Sequence, residues 1–213
     1  TAKEIFKRHK IKVPNHIILK IGEDTKGKVY DIFRNFPQPC VVKPSSAGSS
    51  VGVVLATNFN SLVSAIANAF TFSSAVIIEE FIAGKEATCG VIENFRGEDL
   101  YALLPVEIRK PNESPFFDYD AKYSGKAEEI CPGNFTEVEK QMIQKLASEA
   151  HKSLGLNHYS RADMIVHPKR GVYLLEVNTL PGLTEESLFP KSLKAVGCSM
   201  PNFLDHLIGL AMG

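Results

Sequence analysis

Neither sign of charge is in excess in this chain: 24 Lys plus Arg meet 24 Asp plus Glu, a formal net charge of zero. Nucleic acids and anionic membranes are held chiefly through clustered Lys and Arg, so neither is an expected partner. No apolar run reaches the roughly 18 residues of a membrane span, and no signal-peptide pattern opens the sequence. Cysteine is scarce. Cys40, Cys89, Cys131 and Cys198 lie far apart, without the C-x-x-C spacing of metal or redox sites, which points to a reduced, cytosolic compartment. Two glycine signatures for nucleotides are also missing, since neither G-x-x-x-x-G-K-[ST] nor a G-x-G-x-x-G opening a helix occurs. A P-loop and a dinucleotide fold are thereby excluded. Internal repeats and low-complexity tracts are absent too.

What is present is ordinary globular composition, 213 residues with 44% hydrophobic and 23% charged, enough for one or two domains. A short helix is expected over Thr1–His9, stopped by Val13-Pro14. A strand over His16–Ile21, a helix over Lys28–Asn35 and a buried strand over Cys40–Pro44 follow. Asn60 is the expected cap of a helix over Ser61–Phe70, with Leu62, Ile66 and Phe70 on one face. Strands are read at Ala75–Ile82, Ala87–Ile92 and Leu100–Ile108, the last two joined by the hairpin signal Asn94-Phe95-Arg96-Gly97. The capping box Thr136-Glu137-Val138-Glu139 starts the longest helix, through Leu154, with Val138, Met142, Leu146 and Ala150 along its buried side and His151 near the surface. Helices over Leu188–Val196 and Met200–Met212 close the chain, the second burying Phe203, Leu204, Leu207, Ile208 and Leu210.

Three stretches carry chemistry. In RADMIVHPKRGVYLLEVN two strands flank a Pro- and Gly-containing turn. Period two puts Arg161 with Asp163, and Glu176 with Asn178, so antiparallel pairing across the turn can bring Asp163, Glu176 and Asn178 together. Hard oxygen ligands of this kind suit Mg²⁺, with Arg161 facing the same phosphates; taken alone, the stretch also fits a solvated surface hairpin. Ser45–Gly52, all small residues after Lys43-Pro44, fits a phosphate cradle of backbone N–H groups and equally a flexible glycine hairpin. Glu79-Glu80-Phe81-Ile82 is a candidate adenine seat with Glu86 as ribose ligand, or plain strand and turn. From Lys110 to Cys131 the period is lost, yet Phe116, Phe117, Tyr119 and Tyr123 argue for an ordered lid carrying Lys122.

Together, VVKPSSAGSSVGV, IIEEFIAGKE, FFDYDAKY, SRADMIV and LLEVNTLPGLTEESLFPK resemble, in order and spacing, the successive signatures of the D-alanine–D-alanine ligases of the ATP-grasp superfamily. The resemblance covers nearly the whole chain. It implies an α/β (α+β) ATP-grasp fold of two α+β subdomains, 1–81 and 82–213, with nucleotide bound between their sheets. It implies ATP-dependent joining of two D-alanines through an acyl phosphate, for peptidoglycan precursors. By position, Lys43 meets the nucleotide phosphates and the Ser45–Gly52 loop folds over them. Glu79 sits by the adenine amino group, Glu80, Phe81 and Ile82 form the hinge against the base, and Glu86 holds the ribose. Lys122 reaches the γ-phosphate, Phe116 belongs to the nucleotide site, and Tyr123 and Ser49 close the active site. Asp163, Glu176 and Asn178 hold two Mg²⁺, or Mn²⁺, ions. Arg161 and the Gly182 N–H stabilise the oxyanion, and Ser187 with the Leu188 N–H takes the acceptor's carboxylate.

Tyr123 leans toward an amine acceptor, because relatives that make D-alanyl-D-lactate lack that tyrosine; a different amine acceptor, or a nucleotide-binding module without turnover, are the alternatives. Family members begin with a further domain of roughly a hundred residues, and Thr1 falls where the central domain starts. The resemblance thus implies central and C-terminal domains only, reduced or no turnover for this piece alone, and homodimerisation through the N-terminal region or central domain as one possible assembly.

Overall fold

The computed structural model describes residues 2–22, 25–46, 48, 50–109 and 128–212. They fall into two compact units. One holds residues 2–13, 83–109 and 129–212; of the described residues the other holds Pro14–Ile82 and Glu128. Residues 2–13, expected with the smaller unit from their place in sequence, belong to the larger one. The reason is packing: Phe6 and Ile11 are buried in the core that Ile143, Ala147 and Met164 also form.

The smaller unit is a four-stranded antiparallel sheet in the order β1-β4-β2-β3, from β1 His16–Lys20, β2 Cys40–Pro44, β3 Val54–Ala56 and β4 Ala75–Glu80. Helices α1 (Ala2–Arg8, in the larger unit), α2 (Thr25–Asn35) and α3 (Phe59–Phe72) complete this part of the chain. Leu62, Ala65, Ile66 and Ala69 of α3 stand at helical spacing and pack on Val42, Val76 and Ile78 of the sheet. The cap of α3 is Asn58, two residues before the expected Asn60. Asn58 accepts from Ser61 N–H and the Ser61 hydroxyl oxygen accepts from Asn58 N–H, a reciprocal box that Asn60 has no partner to make.

In the larger unit the sheet order is β10-β9-β5-β7-β8, with β6 also on β5; the strands are β5 Lys85–Phe95, β6 Glu98–Ala102, β7 Val106–Arg109, β8 Glu128–Ile130, β9 Tyr159–His167 and β10 Gly171–Asn178. The strand expected over Leu100–Ile108 is two strands, divided at Leu103-Leu104-Pro105; β6 and β7 both pair with β5, along different stretches of it, and Pro105 has no N–H to carry a ladder through. Part of the expected lid, Glu128–Ile130, is strand. Helix α4 (Glu137–Ser153) has the expected capping box, but the buried side is Ile143, Leu146, Ala147, Ala150 and His151. Val138 is 66% and Met142 43% exposed, so the apolar stripe is rotated from the one expected, and His151 is interior. Helices α5 (Leu188–Ala195) and α6 (Met200–Met212) bring Phe189, Leu193 and Phe203 onto Ile92, Leu103 and Tyr159. Phe189 and Phe203 ring centres lie 5.3 Å apart. Of α6 only Phe203 is buried, and Leu204 and Ile208, expected inside, are exposed. β5 has core on both faces, which explains its unbroken buried run from Ala87 to Ile92. At Gly90 a Cβ would come within 2.7 Å of Leu103 and Phe189 side chains, so the absence of a side chain is what lets α5 approach. All four cysteines are free.

Candidate active site

The ribbon of β9 and β10 gathers four of the expected groups by register. Glu176 pairs with Asp163 and Asn178 with Arg161; directly opposite residues on antiparallel strands share a face, and diagonal neighbours remain within reach of long side chains. This alignment depends on a register shift between Leu174 and Glu176. Up to Leu174 the pairing would have set Leu175, not Glu176, opposite Asp163. One extra residue moves Glu176 and Asn178 onto the face of Asp163, the known effect of a bulge on a period of two.

Asp163 is the hub. Arg161 Nε and Nη2 donate to its Oδ1 and Oδ2 at 2.9 Å each, Asn178 Nδ2 donates to Oδ2 at 2.9 Å, and the Thr88 hydroxyl donates to Oδ1 at 2.6 Å. A paired planar fork of this kind is the stronger form of Arg–carboxylate contact. Burial works against the Arg161 charge, but Asp163, with Glu176 and Glu129 adding, outweighs it and holds the guanidinium protonated beyond its ordinary range. Thr88 was not among the expected residues. Its signal is positional: β5 pairs with β9 so that Thr88 faces Asp163, a neighbour relation that only the sheet order reveals. Among the described residues no group of three or more His, Cys, Asp and Glu is arranged for a metal; the expected set has two carboxylates and an amide. Its donor chemistry fits a hard divalent cation. Asn178 spends an N–H on Asp163, so of its amide atoms only the oxygen could meet a cation.

The start of α5 is shaped around Gly182. A Cβ there would meet Ser187 Oγ at 2.8 Å. Ser187 is the N-cap residue of α5 yet makes no side-chain cap; its hydroxyl pairs with that of Thr184 at 2.7 Å. Pro190 in the first turn has no N–H, so Leu188 and Phe189 supply the leading backbone donors.

In the smaller unit, Val41 lies opposite Glu79, so period two places Lys43 on the same face and diagonal to it. The ammonium meets Glu79 Oε2 at 2.8 Å, with the Glu79 side chain 4% exposed. Lys43 and Glu79, expected at opposite ends of a nucleotide, are therefore direct neighbours. The N–H groups of Glu80 and Phe81 donate to the carbonyls of Asn15 and Pro39, Asn15 Nδ2 donates to Glu80, and Ile82 is buried. Glu86 is half-buried on β5 of the larger unit. In the small-residue loop, Ser45 and Ser46 hydroxyls meet that of Ser73 at 3.0 Å. Ser49, and Phe116, Lys122 and Tyr123 of the lid, lie outside the described residues.

A family model described as D-ala D-ala ligase C-terminus matches residues 5–209. The D-alanine–D-alanine ligase of Desulfotalea psychrophila is 38% identical over 213 residues, 99% of this chain and 65% of that protein. The ligase of the same name from Maridesulfovibrio salexigens is 38% identical over 211 residues, 98% and 66% of the two chains. Among solved structures, a D-Ala:D-Ser ligase from Enterococcus faecalis aligns with a TM-score of 0.86 at 33% identity, over 98% of this chain and 60% of that one. A D-alanine–D-alanine ligase from Bacillus anthracis, complexed with ATP, aligns with a TM-score of 0.79 at 32% identity, over 99% and 65%. The chain thus spans just under two thirds of the length of these curated relatives.

Proposed function

The chain belongs to the D-ala D-ala ligase C-terminus family and has the ATP-grasp fold of those ligases; from that premise we propose that the protein carrying it joins two D-alanines at the expense of ATP. The observation that supports the reading is the Arg161–Asp163–Asn178 constellation, three hydrogen bonds that fix a carboxylate beside a charged guanidinium.

A carboxylate is a poor acyl donor. In the proposed reaction the first D-alanine's carboxylate oxygen attacks the γ-phosphorus of ATP, ADP leaves with the bridging electron pair, and an acyl phosphate forms. The deprotonated amine of the second D-alanine attacks the acyl carbon, the C–O bond breaks with its electrons on the departing phosphate, and the nitrogen's extra proton passes to that phosphate or to water. Asp163, Glu176 and Asn178 would hold Mg²⁺, which when bound supplies charge neutralisation at the transferring phosphoryl group. Asp163 already accepts four hydrogen bonds, so one of these donors would have to yield for Asp163 to hold a cation.

The chain's own groups do the rest. Lys43 is assigned to the nucleotide phosphates, with Glu79 fixing its ammonium as well as reading the adenine amino group. Glu80, Phe81 and Ile82 are assigned to the base and Glu86 to the ribose. Arg161 and the Gly182 N–H are assigned to the developing oxyanion, where a preset donor is worth about 2.7–4 kcal/mol in other acyl-transfer sites. Ser187 and the Leu188 N–H take the acceptor's carboxylate at the start of a helix, where backbone donors and the helix dipole favour an anion. For Lys122, Tyr123, Ser49 and Phe116 the roles rest on the resemblance alone.

The test is phosphate release by the full-length gene product with ATP, Mg²⁺ and D-alanine, with the dipeptide identified by mass. D-Serine belongs in the acceptor panel, since the Enterococcus faecalis relative is named for it. Release with another carboxylate and amine, and none with D-alanine, would overturn the assignment.

A further inference from the structure

Lys191 lies one turn into α5, four residues after Ser187 and three after Leu188, the spacing at which helical side chains stand over one face. Long helical side chains also lean toward the N-terminus, so Lys191 stands over the turn that begins with those two residues. Its ammonium is held: Glu129 Oε2 accepts at 2.8 Å, and Glu186 Oε2 is 3.6 Å away. The hydrogen bond to Glu129, reinforced by both carboxylate charges against slight burial, raises the Lys191 pKa and keeps it cationic. Glu129 belongs to β8, so the pair ties the first turn of α5 to the sheet. The same carboxylate is among those that keep Arg161 charged.

The rest of α5 is secured without this pair. Phe189 and Leu193 are buried in the aromatic cluster, and Arg96 Nη2 donates to the carbonyl of Val196, just past the helix end, at 2.6 Å. Lys191 and Glu129 are about one third exposed, and pairs of that exposure add little to stability. A bridge that the fold does not need, standing over the turn that carries Ser187 and Leu188, has its consequence there.

We propose that Lys191, oriented by Glu129, is a positioning residue for the acceptor seat: it holds the first turn of α5 so that Ser187 Oγ and the Leu188 N–H meet the acceptor's carboxylate together. This rests on the ligase reading above.

The test is steady-state kinetics of the full-length protein, with the acceptor and donor D-alanine terms fitted separately. Lys191→Met raises the acceptor KM about tenfold, the scale of one well-placed charged contact, while kcat, the KM for ATP and Tm stay near wild type. Glu129→Gln shifts the acceptor KM in the same direction, and Lys191→Arg restores most of the loss. An unchanged acceptor KM in Lys191→Met, or a fall in kcat that tracks Tm, overturns the proposal. Wild type, run alongside, separates the two ideas: if it releases no phosphate with D-alanine the ligase reading fails and this inference falls with it, whereas an active wild type with an indifferent variant sinks only the inference.

Discussion

The β9–β10 ribbon of the larger unit and the β2–β4 pair of the smaller one place charge by the same device, diagonal side chains on antiparallel strands, and differ in burial. Asp163 is only partly buried and receives side-chain donors from three strands, Thr88 of β5, Arg161 of β9 and Asn178 of β10. Glu79 is 3% exposed, and its ammonium partner comes from the neighbouring strand β2. A carboxylate hub that is 19% exposed and has several side-chain donors keeps its geometry when one is lost. A buried carboxylate leans on its counter-charge, because transferring ions out of water is costly. The ribbon is therefore where substitutions report chemistry, and the Lys43–Glu79 pair is where they report folding.

The largest expected effect breaks the ribbon without touching the fold. Glu176 is exposed, and in the described structure its link to the cluster is its charge acting on Arg161. Glu176→Gln keeps the shape, removes one of the two carboxylates proposed to hold Mg²⁺, and lowers turnover of the full-length protein by about 10³-fold, a loss of about 4 kcal/mol. Circular dichroism and Tm stay at wild-type values. Near-normal rates at saturating Mg²⁺ count decisively against the metal assignment.

Next come two charge deletions read against each other. Lys43→Met removes the ammonium beside a buried carboxylate and costs about 2–3 kcal/mol in denaturant unfolding, at or below the low end for breaking a fully buried pair because the Lys43 side chain is 18% exposed. Arg161→Met leaves Asp163, whose side chain is 19% exposed, with the Thr88 and Asn178 donors, so its stability cost is smaller, about 1–2 kcal/mol, while activity falls by two orders of magnitude or more. Equal stability losses in the two variants dissolve the contrast between the regions.

How far the sequence alone could see follows from these same residues. The family motifs and the period-two pattern place Arg161 beside Asp163 and Glu176 beside Asn178, and they bring out β2, β9 and β10 as strands. They do not show that the two pairs share a face. That depends on the extra residue between Leu174 and Glu176, and no Gly or Pro stands there to mark it. Thr88, Glu129 and the adjacency of Lys43 to Glu79 are invisible for a related reason: each depends on which strands are neighbours. The rotated face of α4 is a subtler failure. Val138, Met142, Leu146 and Ala150 and the stripe through Ile143, Ala147 and Ala150 both satisfy helical spacing, and only contact with the sheet selects the second. His151, taken for a surface residue because it is polar, follows that rotation inward.

That histidine supplies the smallest of the expected effects and a third kind of polar group, more deeply buried than Asp163 and without a close ion pair. It is 1% exposed, Nδ1 meets the Ser160 hydroxyl at 2.8 Å, and Nε2 lies 3.7 Å from Glu93 Oε1. Burial lowers its pKa below the ordinary 6.5, with Glu93 and a backbone hydrogen bond only partly opposing the shift. The sign follows from proton counts. Above pH 6.5 both folded and unfolded chains carry a neutral imidazole, and His151 contributes no pH dependence. As the pH falls from 6.5 toward the lower folded value, the unfolded chain takes up the proton first, so stability declines, by at most about 1.4 kcal/mol per pH unit. Below the folded value both forms are charged and the slope ends. His151→Gln, which can keep a hydrogen bond to Ser160, removes this term. Urea unfolding at pH 7.5 and pH 5 should then show a larger acid loss in wild type than in the variant; equal losses would mean that His151 titrates alike in the folded and unfolded chains, and a smaller loss in wild type would mean that Glu93 holds the folded imidazole in its charged form.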